Sequence, residues 1–101
     1  NDERYAAMVA RHYAAKGYGP ARVREELRRR KLDRELWDAA IDALPDSGEK
    51  VEILFKNKMR GKDADADALR RACAALARRG FAWEDIRAAQ ERYLAEMELE
   101  E

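Results

Sequence analysis

Few residues of this sequence could carry bond-making chemistry. The single histidine, His12, and the single cysteine, Cys73, could serve as base, nucleophile or metal ligand. Two carboxylate pairs, Glu25–Glu26 and Glu84–Asp85, could divide acid–base work between them. A structural zinc site needs about four converging ligands, and His12 has no second histidine or nearby cysteine to complete one. His12 falls in the series Tyr5, Met8, Val9, His12, Tyr13, spaced as one face of a helix, and is expected to be a partly buried packing residue. Cys73 sits beside Ala72 and Leu76 on an apolar helix face, with no histidine positioned to activate it. It is expected to be a core thiol. The carboxylate pairs fall where solvated faces and anionic first helical turns account for them. No glycine-rich phosphate loop and no nucleophile elbow is present. The residues point away from an enzyme and imply no cofactor and no metal.

Cations offer chemistry of another kind. "RRRK", Arg28 to Lys31, is flanked by Arg22, Arg24 and Arg34. "KNKMRGK", Lys56 to Lys62, contains no acid, and Arg70, Arg71, Arg78 and Arg79 lie in an acid-free stretch from Ala68 to Trp83. Acids gather elsewhere, above all in "EMELEE", Glu96 to Glu101. The 21 basic and 21 acidic residues cancel, so attraction to a polyanion has to come from a local patch rather than from net charge. The segregated runs read either as an ordinary solvated charged surface or as basic strips that meet phosphates or an acidic protein surface. A helix-turn-helix placement in a major groove is disfavoured. Its reading helices would begin with Asp33 and Glu35, or with Glu84 and Asp85, and these would repel phosphates.

The elements that position these residues follow from composition and periodicity. Charged residues make up 42% of the 101 and aromatic residues 8%, so the core must be thin and packed between helices. Gly17 ends a first helix, and Pro20 suits the first turn of a second, which runs out in the cations Arg28 to Lys31. Asp33 caps a third, marked by Leu36, Trp37, Ala40, Ile41 and Leu44. "PDSG", Pro45 to Gly48, breaks the chain. A fourth helix carries Val51, Leu54, Phe55 and Met59 and closes at Gly61. The last aspartates of "KDADAD", Lys62 to Asp67, cap a fifth with Leu69, Ala72, Cys73 and Leu76. Gly80 closes it, and a sixth carries Ile86, Ala89, Tyr93, Leu94 and Met97.

The two halves repeat. At a shift of 49 residues Leu27 matches Leu76, Leu32 matches Phe81, Glu35 matches Glu84, Trp37 matches Ile86, Ala40 matches Ala89 and Leu44 matches Tyr93. The expected fold is all-α, an elongated tandem of two three-helix units over residues 1–46 and 47–101, each too small to bury its apolar face well alone. Lys31 stands where the repeat asks for the equivalent of Gly80. A left-handed lysine costs about 1 kcal/mol or more, so the first hinge is expected to differ in geometry. One cysteine excludes an internal disulfide and fits a reducing compartment such as the cytoplasm. No run reaches the length of a membrane span, and no signal peptide opens the chain.

These residues resemble a known family. Tyr13 to Leu44, "YAAKGYGPARVREELRRRKLDRELWDAAIDAL", resembles the middle repeat of the RecX regulatory proteins, with its Lys-Gly-hydrophobic-Gly and its Glu-Leu helix end. Leu54 to Leu94, with the Arg-Gly-Phe hinge and following Ile, is similar to the family's last repeat. The resemblance implies a helical array that binds the RecA recombinase on DNA. It further implies a limit on RecA's filament growth, ATP hydrolysis, recombination and SOS function, without catalytic residues. It also gives the basic strips a use. Arg24, Arg28, Lys31, Lys56, Lys58, Arg71 and Arg79 would face a RecA–DNA groove, with single- or double-stranded DNA as a further contact. A monomer is expected. The family's first repeat is absent, and the chain opens on Asn1, as a C-terminal portion or a short member would. Lys31 departs from the family's hinge glycine.

Overall fold

Alanine, leucine, arginine and glutamate, all strong helix formers, fill the chain between a few glycine and proline breaks. The computed structural model describes residues 1–100, and six helices account for most of them. They are α1 (Asp2–Ala15), α2 (Pro20–Arg29), α3 (Arg34–Asp42), α4 (Gly48–Met59), α5 (Ala66–Arg78) and α6 (Trp83–Glu100). There is no strand among the described residues. The all-α tandem read from the sequence is the fold of the protein.

α1, α2 and α3 pack pairwise around Val9, Ala10, Val23, Leu27 and Ala40. α4, α5 and α6 do the same around Val51, Phe55, Met59, Leu76 and Ile86. Among the described residues, no helix of one three has a Cα atom packed near a helix of the other. The result is a rod of 53 × 21 × 20 Å.

The shift of 49 reappears in three dimensions. Leu27 and Leu76 are both fully buried, and Leu32 and Phe81 occupy matching buried places after the hinge. The match also extends to residues that share no obvious sequence likeness. Ala6 and Ala10 are buried where Phe55 and Met59 are, and Val23 where Ala72 is. Small and large residues have exchanged places while the backbone positions correspond.

Two expectations are corrected. His12 is exposed rather than partly buried. α1 turns Ala6, Val9 and Ala10 inward, which carries His12 to the water side, edge-on to Tyr13 at 5.3 Å. The hinge at Lys31 is not different in geometry either. Lys31 has φ +60°, and Gly80 has φ +96°. Both helices close with the same pair of backbone bonds. Lys31 N–H donates to Arg28 O at 2.9 Å and Leu32 N–H to Leu27 O at 3.4 Å. Gly80 N–H donates to Ala77 O at 3.0 Å and Phe81 N–H to Leu76 O at 3.3 Å. This is the Schellman closure, with Leu32 and Phe81 each folded back toward the last turn. Trp37 Nε1 donates to Leu32 O at 2.8 Å and ties the first hinge to α3, and the bonds of this closure hold Lys31 in the strained region.

Candidate partner-binding surface

The cations singled out from the sequence do not lie on one face. Arg24 reaches across from α2 to Asp38 of α3 at 3.2 Å. Arg22, two residues earlier, is about 200° away around the helix and turns toward Tyr18, 5.0 Å from the ring centroid. Arg28 lies one turn beyond Arg24 and is held by Glu25, at 3.0 Å from Nε and 2.6 Å from the terminal nitrogen. Lys56 pairs with Glu96 of α6 at 3.0 Å, while Lys58 points from the other flank of α4. Lys31, Lys58 and Arg71 are exposed and have no carboxylate within 4 Å among the described residues. Their charge reaches solvent undiminished by a partner. Arg24, Arg28 and Lys56 are already shared with acids, so a docking partner has to displace or share those carboxylates.

Arg79 is different in kind. It is partly buried, and its guanidinium donates to the carbonyls of Lys16 and Gly17 at 3.4 and 3.3 Å, with Tyr18 5.2 Å away. It belongs to the joint between the two units. That joint is made of helix ends. Gly19 N–H donates to Arg79 O at 2.8 Å and Ala21 N–H to Gly80 O at 3.0 Å. The carbonyl end of α5 thereby satisfies the N–H groups at the start of α2, which has no side-chain cap of its own. In the other direction the Lys50 ammonium donates to Ala14 O in the last turn of α1, and Arg79 takes the two carbonyls just beyond it.

The approach is close. A Cβ on Gly19 would lie 2.5 Å from the Gly80 carbonyl carbon and oxygen, and one on Gly80 would lie 2.4 Å from the Arg22 nitrogen. Gly80 thus meets two demands, a left-handed cap and a backbone contact. Lys31, exposed at the equivalent hinge, meets only the first and can keep a side chain.

Sequence reasoning missed an arginine–tyrosine cluster on the first unit. Arg30 donates to the Tyr5 hydroxyl at 2.6 Å and lies 6.0 Å from the Tyr13 ring, and Lys16 is 5.7 Å from that same ring. Tyr18 stands near both Arg22 and Arg79. The density of Tyr, Lys and Arg from Tyr13 to Arg30 was the available signal. The pairing of Tyr5 with Arg30 depends on how α1 crosses α2, which no local pattern records. No helix is long and apolar enough to cross a membrane among the described residues.

A family model described as "RecX, second three-helix domain" matches residues 1–41. The regulatory protein RecX of Xanthomonas axonopodis pv. citri is 41% identical over 92 residues, covering 88% of this chain and 56% of the relative. That of Xanthomonas campestris pv. campestris is 36% identical over 91 residues with the same shares. That of Pseudomonas entomophila is 34% identical over 88 residues, covering 85% of this chain and 57% of the relative. The chain thus spans somewhat more than half the length of these relatives. Two three-helix units in series, with the first matching RecX's second domain and the likeness running on across the second, are what the chain has in common with the RecX regulatory proteins.

Proposed function

We propose that the chain is a non-enzymatic regulator that binds the filament of RecA on DNA and restrains its ATP hydrolysis and recombination. The similarity just described carries this reading, since the relatives are named regulatory proteins. The surface agrees with it in kind. A narrow rod with cations distributed along it suits a groove flanked by acidic protein and phosphate, where opposite charge speeds encounter and fixes orientation. Lys31, Lys58 and Arg71 supply the outward charge. Arg24, Arg28 and Lys56 contribute by exchanging their carboxylate partners for the filament's. Arg79 acts through the joint, by holding the two units at a fixed angle.

The test is RecA's single-strand-dependent ATP hydrolysis, measured as the chain is titrated in. Hydrolysis is expected to fall with wild type and to require several-fold more of the triple variant Lys31→Glu, Lys58→Glu, Arg71→Glu. All three sites are exposed, so folding is expected to be kept. Unchanged hydrolysis together with no binding to the filament would remove the reading.

Binding to nucleic acid alone is a second reading, favoured by the arginine–tyrosine cluster around Tyr5, Tyr13 and Tyr18, a combination that also serves base stacking. It requires tight binding to naked DNA with a steep salt dependence, against which the balanced net charge weighs.

A further inference from the structure

An apolar concavity lies between the two three-helix units, where the basic surface does not explain it. Ile41 from α3, Leu44 just beyond it, Ile53 and Leu54 from α4, and Tyr18 and Phe81 from the joint line a groove of about 540 Å³. Ile53 is 55% exposed. Such a volume is within the ordinary range of ligand sites, about 300–1,000 Å³. Asp46, Ser47, Glu49 and Lys50 line it as well. Asp46 and Glu49 are exposed there, with no cation within 4 Å among the described residues. The one cation of the lining, Lys50, is committed to the Ala14 carbonyl. The groove is therefore mainly apolar, with negative charge at its exposed carboxylates.

We propose that this groove docks an amphipathic helix of a partner protein, apolar on one face and flanked by lysine or arginine. Three features select that occupant. Among the described residues there is no strand whose edge could take up an extended peptide, which leaves the mode in which apolar anchors of a helix enter a groove. The lining is mainly apolar, whereas a small-molecule site also needs precisely placed polar groups to orient its ligand. The exposed carboxylates favour a cationic partner and reject phosphate, which separates this face from the basic surface and from nucleic acid. The inference does not depend on the RecA reading. A helix seated here would touch α3 and α4 together and brace a joint that otherwise rests on helix-end hydrogen bonds.

The probe is a fluorescein-labelled helical peptide of about 15 residues, long enough to hold some helix. It carries leucines on one face and lysines on the flanks, and is compared with the same peptide bearing glutamate for lysine. Fluorescence anisotropy is expected to give the lysine peptide at least tenfold tighter binding, a difference of ~1.4 kcal/mol. Ile53→Asn is expected to weaken it about fivefold or more, and Glu49→Lys to narrow the gap between the two peptides. Circular dichroism of each variant checks that the helices are kept. Equal binding of the two peptides overturns the proposal, and so does binding of neither. It is equally overturned if Ile53→Asn leaves the lysine peptide's affinity unchanged, because the acidic end of α6 would then be the attraction.

Discussion

Glu25 shows what the charge pattern hides at the scale of single residues. The hydrogen bonds from Arg28, with Arg29 alongside at 3.4 Å, pull its carboxyl from the ordinary 4.5 down to about 2. A folded-state value below the unfolded one means that the interaction is present at neutral pH and is lost as pH falls from about 4.5 through about 2. The pair is exposed and screened, so its effect on stability is small. Carbon-detected NMR is expected to place the Glu25 titration near pH 2 and to find it moved upward in Arg28→Ala. Burial pushes the Cys73 thiol up, and its S–H donates to Gln90 Oε1 at 3.1 Å. Alkylation by iodoacetamide at pH 8 is therefore expected to be many-fold slower in the native chain than in denaturant. The core thiol was legible from Ala72 and Leu76 beside it, whereas the acids that hold Arg24, Arg28 and Lys56 were not. Two of those pairs bridge helices. Lys31 at φ +60° offers a third prediction. Glycine there relieves a strain of ~1–2 kcal/mol and gives back about 0.4–1 kcal/mol in unfolded-chain entropy. Lys31→Gly is accordingly expected to raise stability to urea by about 0.5 kcal/mol or more.

At the scale of elements, the helices were legible and their joint was not. Apolar periodicity, with glycine closures at Gly17, Gly61 and Gly80, marked the helices, because both are local. In α1 the same reasoning set the face off-centre. Of the stripe Tyr5, Met8, Val9, His12 and Tyr13, Val9 is buried and Tyr13 packs on the core, but Tyr5, Met8 and His12 are exposed and Ala6 and Ala10 are buried instead, since their small size lets the other helices come close. The repeat correspondence of Ala6 with Phe55 was invisible for a related reason: volume lost on one helix is made up by neighbours. The joint of Gly19 with Gly80 rests on a meeting of segments about sixty residues apart, and nothing near Gly19 announces it. Gly19 has φ −91°, so alanine there is free of backbone strain and only its Cβ collides. Gly19→Ala is expected to keep both three-helix cores and the helical circular dichroism while displacing one unit from the other. The stability cost is about 1–3 kcal/mol, as for other overpacked sites. X-ray scattering is expected to show a radius of gyration changed from the 15.4 Å of the native chain. An unchanged scattering curve would contradict the role given to this contact.

At the scale of the whole molecule, shape and charge act together. A radius of gyration of 15.4 Å exceeds the ~13 Å of a compact chain this long, because two small cores are set end to end. The two-unit rod could be read from the repeat. The distribution of its surface could be read only in part. Segregation of basic from acidic runs was visible, but α2 sends Arg22 and Arg24 to opposite flanks, so a basic run in sequence is not a basic strip in space. Of the seven cations singled out, Lys31, Lys58 and Arg71 face solvent without a carboxylate partner among the described residues, with Arg79 withdrawn into the joint. The central claim is association with RecA assembled on DNA, and co-sedimentation tests it most directly. The chain is spun with preformed RecA filaments on single-stranded DNA and, in a parallel tube, with the DNA alone. The account predicts pelleting with the filament and little with naked DNA. Equal pelleting in both tubes, or none in either, would contradict it.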